Sequence, residues 1–167
     1  MEKASLEQAL DRFLPLSCVY VISVNAQGEP SGMIASWVIQ TSFNPPLIAV
    51  SIGKTRFTYN LIKDSKEFVI AVPNEKLKEA IRIFGLKSGA NINKFKETNL
   101  KTKKASFVKS PLLADATINY ECKLLQIVDT GDHSIFIGEV MAAWMNKNKK
   151  VLLNMGKVKG KRIFKEF

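Results

Sequence analysis

Two adjacent prolines, Pro45 and Pro46, separate two apolar runs that are rich in β-branched residues. Neither proline can donate a hydrogen bond to a strand ladder, so strand pairing is interrupted at this point. The flanking runs, residues 31–42 and 47–53, are predicted to be strands, and a β-hairpin core is the plainest arrangement for them. The segment therefore favours β-structure.

The same strand pattern recurs along the chain. Further runs of β-branched and aromatic residues predict strands at 18–25, 67–72, 114–129 and 134–144, the last two joined by a turn at 130–133. Strands outnumber helices and follow one another closely. This favours a mainly β fold, an antiparallel barrel with peripheral helices.

Capping residues and apolar spacing predict three short helices. They lie near residues 5–13, 56–63 and 76–84, with Ser5, Thr55 and Asn74 as capping candidates and Gly85 ending the third. Residues 86–104 are polar and rich in Gly, Asn and Lys, so they are predicted to form a loop.

The length of 167 residues suits one domain, 1–167, whose core needs neither a metal nor a disulfide. No apolar run is long enough to cross a bilayer. The first 13 residues are charged and amphipathic, unlike a signal peptide or an anchor. We therefore expect a cytoplasmic protein with no membrane partner.

Cysteine and histidine are scarce. Cys18 and Cys122 lie in separate apolar runs, and the single histidine is His133. These residues do not have the spacing of a zinc site, so we expect two buried reduced thiols and no metal.

The net charge of +10 is concentrated in two segments. Residues 87–109 carry seven Lys and one Glu, residues 146–167 carry eight Lys or Arg and one Glu, and the rest of the chain is at −3. Such segments solvate a lysine-rich surface, attract anionic nucleotides or bind nucleic acid. Nucleic acid is disfavoured because the aromatic residues that would stack bases are few and scattered.

Cations and hydroxyls cluster where a predicted strand passes into a predicted helix, in Gly53-Lys54-Thr55-Arg56-Phe57-Thr58. The first amides of a helix lack internal acceptors and carry positive partial charge, so this segment is a candidate phosphate site. The alternative is that Thr55 only caps a helix whose cations face water. The segment does not match the Walker pattern, so it gives no support for nucleoside triphosphate hydrolysis.

Four segments in order resemble the flavin reductase-like domain of FMN-binding split-barrel proteins. They are GMIASWVIQTSFNPPLIAVSIGKTRFTYNLI (32–62), NKF (93–95), SPLLADATINYEC (110–122) and GDHSIFIGEV (131–140). The resemblance covers about residues 12–145, and it is greatest to the flavoredoxin and rubredoxin-linked flavoprotein branches. It implies a Greek-key split β-barrel that forms a homodimer and binds FMN, with FAD less favoured.

The resemblance also implies site residues. Those bordering the flavin ring are Ile34, Ala35, Ser36 and Trp37; those bordering the ribityl chain and phosphate are Ser51, Ile52, Lys54, Arg56, Phe57 and Thr58; and those approaching from a loop are Lys94 and Phe95. His133 matches the histidine of a Gly-Asp-His turn that contacts the flavin face or the nicotinamide.

Three positions depart from the family pattern. Ser31 stands where Asn is frequent, Ile34 where Thr is frequent, and Asn93 where Asp usually precedes Lys-Phe. With fewer polar groups near the flavin, the resemblance implies no preference between NADH and NADPH as hydride donor.

The leading functional hypothesis is a flavoprotein oxidoreductase that takes hydride from NADH or NADPH and passes electrons to free flavin or to a redox partner such as a rubredoxin-like protein. The alternative is an electron-transfer or flavin-storage module without NAD(P)H reductase activity of its own.

Overall fold

The computed structural model describes residue 5, residues 17–158 and residues 161–167. The helix expected near residues 5–13 therefore falls almost wholly outside the described residues. The strands are β1 (Val19–Val24), β2 (Pro30–Ala35), β3 (Val38–Phe43), β4 (Pro46–Gly53), β5 (Glu67–Val72), β6 (Thr102–Lys103), β7 (Leu112–Leu113), β8 (Ile118–Thr130), β9 (His133–Met145), β10 (Leu152–Val158) and β11 (Lys161–Glu166). The helices are α1 (Phe57–Ser65), α2 (Lys78–Leu86), which follows a 3₁₀ turn at Glu75–Leu77, and α3 (Lys94–Thr98).

Seven strands form one antiparallel sheet in the order β2-β1-β5-β8-β9-β4-β3. Its edge strands β2 and β3 are consecutive in the chain and are separated only by Ser36 and Trp37. Because two residues reach so short a distance, both edges of the sheet must meet at this corner. The predicted mainly β, antiparallel architecture is confirmed, and this curvature is consistent with a split barrel.

Both faces of β1 are buried, and its side chains point alternately into two hydrophobic clusters. Val19 and Val21 join the cluster between the sheet faces, with Phe68 and Phe136 among its members. The side chain of Tyr20 points to the opposite face of β1 and belongs to the second cluster, on the outer face of the sheet.

α2 covers the outer face of the sheet. Asn74 accepts a hydrogen bond from the Lys76 amide at 3.0 Å and so caps the 3₁₀ turn that leads into α2. Phe84 on α2 packs edge-on against Tyr20, with ring centroids 5.0 Å apart. The prediction that Asn74 caps this helical segment is confirmed, and α2 forms one wall of the cleft described below.

The single strand predicted over residues 31–42 is wrong: it is two strands on opposite edges of the sheet. The Val38 amide donates to the Ser36 carbonyl at 3.1 Å, which closes a three-residue turn and redirects the chain. The Ser51 amide then donates to the Trp37 carbonyl at 2.9 Å and holds the corner against β4.

Three local predictions also need correction. Residues 86–104 are not one loop, since α3 forms there when the Asn93 side chain accepts from the Lys96 amide at 3.0 Å. Thr55 is not the N-cap of α1, because Arg56 holds that position without a side-chain capping bond. Gly85 does not end α2, which continues through Leu86.

The C-terminal segment forms the β10–β11 hairpin, which packs on the outer-face cluster through Leu152 and Phe164. Cys18 and Cys122 are buried free thiols, as expected. No helix in the described ranges is long and apolar enough to cross a bilayer. The same ranges contain no group of three or more His, Cys, Asp or Glu side chains placed to hold a metal.

Candidate functional site

A continuous cleft runs along the outer side of β2, between α1, α2 and the β10–β11 hairpin. It consists of a smaller cavity of about 160 Å³ and a larger cavity of about 760 Å³, and Ile34, Arg56, Gly85 and Leu86 line both. The smaller cavity is also lined by Met33, Thr55, Phe57, Thr58, Phe84, Lys87, Ser88, Gly89 and Lys94. The larger cavity is also lined by Cys18, Ser36, Lys78, Ile81, Arg82, Lys161, Arg162 and Phe164.

The smaller cavity lies at the N-terminus of α1. The helix begins after Arg56, whose backbone is extended (φ −76°, ψ 134°), and its first turn contains no acidic side chain. The first amides of a helix have no intrahelical acceptor, and the helix dipole adds positive partial charge there. The hydroxyl residue Thr58 is buried beside these amides. This end of the cleft is therefore suited to an anion.

Lys94 supplies a buried cation to the same cavity. Its side chain is 3% exposed, and Nζ donates to the carbonyls of Gly32 at 2.8 Å and Phe84 at 2.9 Å. Burial, and then the charge of Arg56, lower the pKa of Lys94 to about 8. An ammonium has three N–H donors, and the third has no acceptor among the described residues. Lys94 therefore lacks a counter-charge that an anion would supply.

The loop after α2 comes very close to β2 at Gly89. A β-carbon there would overlap Ser31 Oγ and would lie 2.8 Å from the Phe57 ring, so a side chain at this position would displace one of them. Ser31 Oγ is buried without a hydrogen-bond partner in the described part of the chain, and Ser31 lines a third cavity of about 370 Å³. A bound molecule or a water at this end would satisfy that hydroxyl.

His133 lies at the corner where β2 passes into β3. Its ring is 4.8 Å from the Trp37 ring at an angle of 43°, and its Nδ1 is 2.8 Å from Asp132 Oδ1. Donation of the Nδ1 proton to the carboxylate leaves Nε2 free, and that atom lies beside Gly53. The hydrogen bond from His133 holds the pKa of Asp132 below its usual range.

Lys54 does not line any of the three cavities. Its ammonium lies 3.3 Å from Asp129, and its amide donates to the Asp132 carbonyl at 3.0 Å. The pKa of Asp129 is lowered by hydrogen bonds from Ser134 and Lys54. The structure thus places Lys54 in a surface ion pair next to the cleft, apart from Arg56.

Four other predicted residues present little side chain to the cleft. Ala35 and Ile52 are in the core between the sheet faces. Phe95 packs edge-on against Phe84, with ring centroids 5.3 Å apart. Ser51 uses its amide to hold the corner. These residues shape the walls, and Ala35 and Ile52 have only backbone groups to offer a ligand.

The structure therefore brings together Ile34, Ser36, Arg56, Phe57, Thr58 and Lys94 along the cleft, with Trp37 and His133 at its corner. Sequence reasoning missed Arg82, Ser88, Lys161 and Arg162. The last two belong to the basic segment 146–167, whose excess charge was the only pattern that pointed to them.

A flavin mononucleotide fits these features chemically. Its phosphate matches the α1 N-terminus and the unneutralised Lys94, and its flat ring matches the apolar and small residues Ile34, Ser36 and Gly85. The orphaned Ser31 hydroxyl adds a polar group near the phosphate end.

Comparisons with known proteins identify the family to which the chain is similar. The model of the family described as flavin reductase like domain matches residues 16–161. The high molecular weight rubredoxin of Moorella thermoacetica is 40% identical over 127 residues, covering 75% of this chain and 54% of that protein. The ferric-chelate reductase (NAD(P)H) of Archaeoglobus fulgidus is 32% identical over 136 residues, covering 80% of this chain and 79% of that protein.

Solved structures show the same fold. The NADH:FAD oxidoreductase SgcE6 of Streptomyces globisporus superposes with a TM-score of 0.84 at 24% identity, covering 100% of this chain and 98% of that chain. The flavoredoxin of Desulfovibrio vulgaris superposes with a TM-score of 0.83 at 24% identity, covering 99% and 93%. The predicted family is therefore confirmed by the family model, and the predicted fold by the solved structures.

Proposed function

The chain belongs to the family of flavin reductase-like domains, and we propose that this flavin oxidoreductase holds FMN in the cleft and takes hydride from NADH or NADPH. The observation that carries the proposal is the smaller cavity, where the α1 N-terminus and the buried Lys94 converge next to an apolar slot. The electrons then pass to free flavin or to a redox protein.

Arg56, Thr58, Lys94 and the first amides of α1 hold the phosphate in this proposal. Charge-assisted hydrogen bonds from such groups are roughly twice as strong as neutral ones. A cavity of about 160 Å³ has room for one phosphate ester beside the helix, which favours FMN over FAD.

Ile34 and Ser36 border the ring, and Gly85 lets it approach α2. A bound flavin supplies the redox chemistry, accepting a hydride and releasing electrons, while the protein supplies orientation and electrostatics. His133, hydrogen-bonded to Asp132 and packed at a tilt against Trp37, contacts the flavin face or the nicotinamide from the corner.

We also propose a homodimer in which β3 lies at the interface. β3 is an edge strand of the seven-stranded sheet, its Ile39 and Phe43 are 65% and 88% exposed, and Trp37, which directly precedes it, is 56% exposed. Exposed apolar edges of this kind mark association surfaces. An Ile39→Lys substitution is expected to convert a dimer to a monomer in analytical ultracentrifugation, and a monomeric unsubstituted protein would overturn this point.

The second candidate is an electron-transfer module that holds FMN but does not react with NAD(P)H. It is favoured by Asn93, whose side chain caps α3 and so is not directed to the cleft, and by the aliphatic Ile34 at the ring. A rubredoxin-like electron donor then replaces the dinucleotide.

The deciding experiment is a flavin titration followed by anaerobic reduction. We expect the purified protein to retain FMN and the bound flavin to bleach on addition of NADH or NADPH. A folded protein that retains no flavin would refute the proposal, and retention without bleaching would favour the electron-transfer module.

His133 is tested in the same assay. The His133→Asn variant is expected to retain flavin and to be reduced several-fold more slowly, because the ring that contacts the reacting face is lost. An unchanged reduction rate would make His133 a turn residue only.

A further inference from the structure

The outer end of the larger cavity gathers cations from three separate elements. Arg56 precedes α1, Arg82 lies on α2, and Lys161 and Arg162 begin β11. Among the described residues, none of these four forms an ion pair with a carboxylate. Lys78, which lines the same cavity, differs because it is paired with Glu75 at 2.7 Å.

The same cavity has an apolar wall made by Ile81, Leu86 and Phe164. Leu86 is 74% exposed although it is a large aliphatic residue on a packed helix. A cavity that combines apolar surface with unpaired cations suits a ligand that has flat rings and several phosphates.

The β10–β11 hairpin holds its two cations over this cavity from an anchored base. At the base, Leu152 is buried and its amide donates to the Pro73 carbonyl at 2.8 Å, while Glu166 accepts from the Glu75 amide at 3.1 Å. Lys161 pairs with Val158 at the opposite end of the ladder. Arg162 is close enough to Cys18 for its charge to lower the pKa of that thiol, although burial outweighs it and raises the pKa to about 11.

We propose that Arg82, Lys161 and Arg162 bind the 2′-phosphate of NADPH, so that the protein takes NADPH in preference to NADH. This inference rests on the proposed flavin function, in which the α1 N-terminus and Lys94 already hold the FMN phosphate. The pyrophosphate common to both dinucleotides carries two negative charges. A phosphate monoester adds about 1.5 to 2 more near pH 7, and only that addition requires so many unpaired cations.

Guanidinium groups are well matched to this role, because their planar donor fork binds phosphate with two parallel hydrogen bonds. Arg82 and Arg162 line the cavity from two different elements, one on α2 and one on the hairpin. In this proposal both guanidinium groups bind the same phosphate.

The test is calorimetric titration of the FMN-loaded protein with NADP⁺ and with NAD⁺. The unsubstituted protein is expected to bind NADP⁺ at least about tenfold more tightly, given one or two charge-assisted bonds to the additional phosphate. The double substitution Arg82→Ala and Arg162→Ala is expected to remove that preference while NAD⁺ binding changes less than about twofold.

Lys165→Ala is the matched control, since Lys165 is exposed on β11 but does not line the cavity. It removes the same charge from the same hairpin and is expected to leave both affinities unchanged. Arg162→Lys is expected to restore part of the preference that Arg162→Ala loses, because it keeps the charge without the fork.

Equal affinity of the unsubstituted protein for NADP⁺ and NAD⁺ would overturn the inference, as would an equal loss for both in the double variant. A loss of FMN affinity in the double variant would also overturn it, because the cluster would then belong to the flavin phosphate. Failure of the unsubstituted protein to bind FMN would refute the proposed function instead, and the same titrations on the flavin-free protein would still decide the dinucleotide preference.

Discussion

Two buried charged side chains differ in their surroundings: Lys94 in the cleft and Glu121 on β8. Glu121 is 0% exposed and accepts hydrogen bonds from the amides of Ser106 and Phe107, at 3.0 and 2.6 Å, and from the Trp144 indole at 2.7 Å. Lys94 is 3% exposed and has two carbonyl acceptors, and among the described residues it has neither a counter-charge nor an acceptor for its third N–H.

The pKa values follow this difference. Burial by itself raises the pKa of Glu121, but the hydrogen bonds from Ser106, Phe107 and Trp144 outweigh burial and hold the pKa below its usual range. At Lys94 no interaction among the described residues offsets burial, and its pKa falls to about 8. A buried charge whose hydrogen-bonding capacity is satisfied by the protein stabilises the fold. A buried charge with an unused hydrogen-bond donor can bind a ligand of opposite charge.

The largest effect is expected from Glu121→Ala. Removal of the carboxylate leaves three donors of part-buried hydrogen bonds without their acceptor, so the free energy of unfolding should fall by about 3–5 kcal/mol. Urea denaturation measures this. Glu121→Gln keeps one acceptor oxygen and should cost less, and a loss below about 1 kcal/mol in the Ala variant would show that Glu121 is not the structural counterpart of Lys94.

Lys94→Met should act on the ligand instead of the fold. FMN affinity should fall by about 2 kcal/mol, because one charge-assisted hydrogen bond to the phosphate is lost. The free energy of unfolding should change little, since an uncompensated buried charge is removed together with two hydrogen bonds. Fluorescence titration with FMN measures the affinity, and Lys96→Met, exposed on the same helix, is the control.

Substitution of Arg56 and of Lys54 compares a cation in the cleft that has no ion pair among the described residues with a paired cation outside it. Arg56→Ala should weaken FMN by about 1–2 kcal/mol, and Lys54→Ala by less than about 0.5 kcal/mol, because Lys54 is already paired with Asp129 at 3.3 Å. The double variant should equal Arg56→Ala within error. A larger loss for Lys54→Ala would mean that Lys54 leaves Asp129 to bind the phosphate.

The last prediction concerns the dependence of FMN affinity on pH. FMN affinity should fall as the pH rises above about 8, since the flavin-free protein then loses the Lys94 proton and with it a partner for the phosphate. The decline should be at most about tenfold per pH unit and should be absent in Lys94→Met. Titrations between pH 7 and pH 9.5 test this.

Stability should move in the other direction over the same range. The pKa of Lys94 is lower in the folded protein than its ordinary value of 10.5, so the unfolded chain binds more protons between about pH 8 and 10.5. The free energy of unfolding contributed by this group therefore rises with pH in that window. Glu121 makes no such contribution there.

Much of the fold was predictable from the sequence. The strand over residues 67–72 has the predicted bounds, β1 is one residue shorter than predicted at each end, and β4 begins one residue earlier than predicted. Asn74 caps as expected. These features depend on side-chain alternation and on capping, which are properties of a few neighbouring residues.

The site was predicted less completely. Ile34, Arg56 and Thr58 line one cavity, and their contact with a flavin stays a prediction. The pairing of Lys54 with Asp129 does not follow from the resemblance. The contact between Lys94 and two backbone carbonyls on β2 and α2 spans distant parts of the chain. No local pattern reports such a contact.

The sequence by itself determined the strand-rich architecture, the family and the residues that carry positive charge. Only the tertiary structure decided that the run over residues 31–42 breaks at Ser36, and that Arg82 and Arg162 line the same cavity as Arg56. The physical reason is that alternation and capping act over a few residues, whereas the curvature of a seven-stranded sheet decides which distant side chains meet.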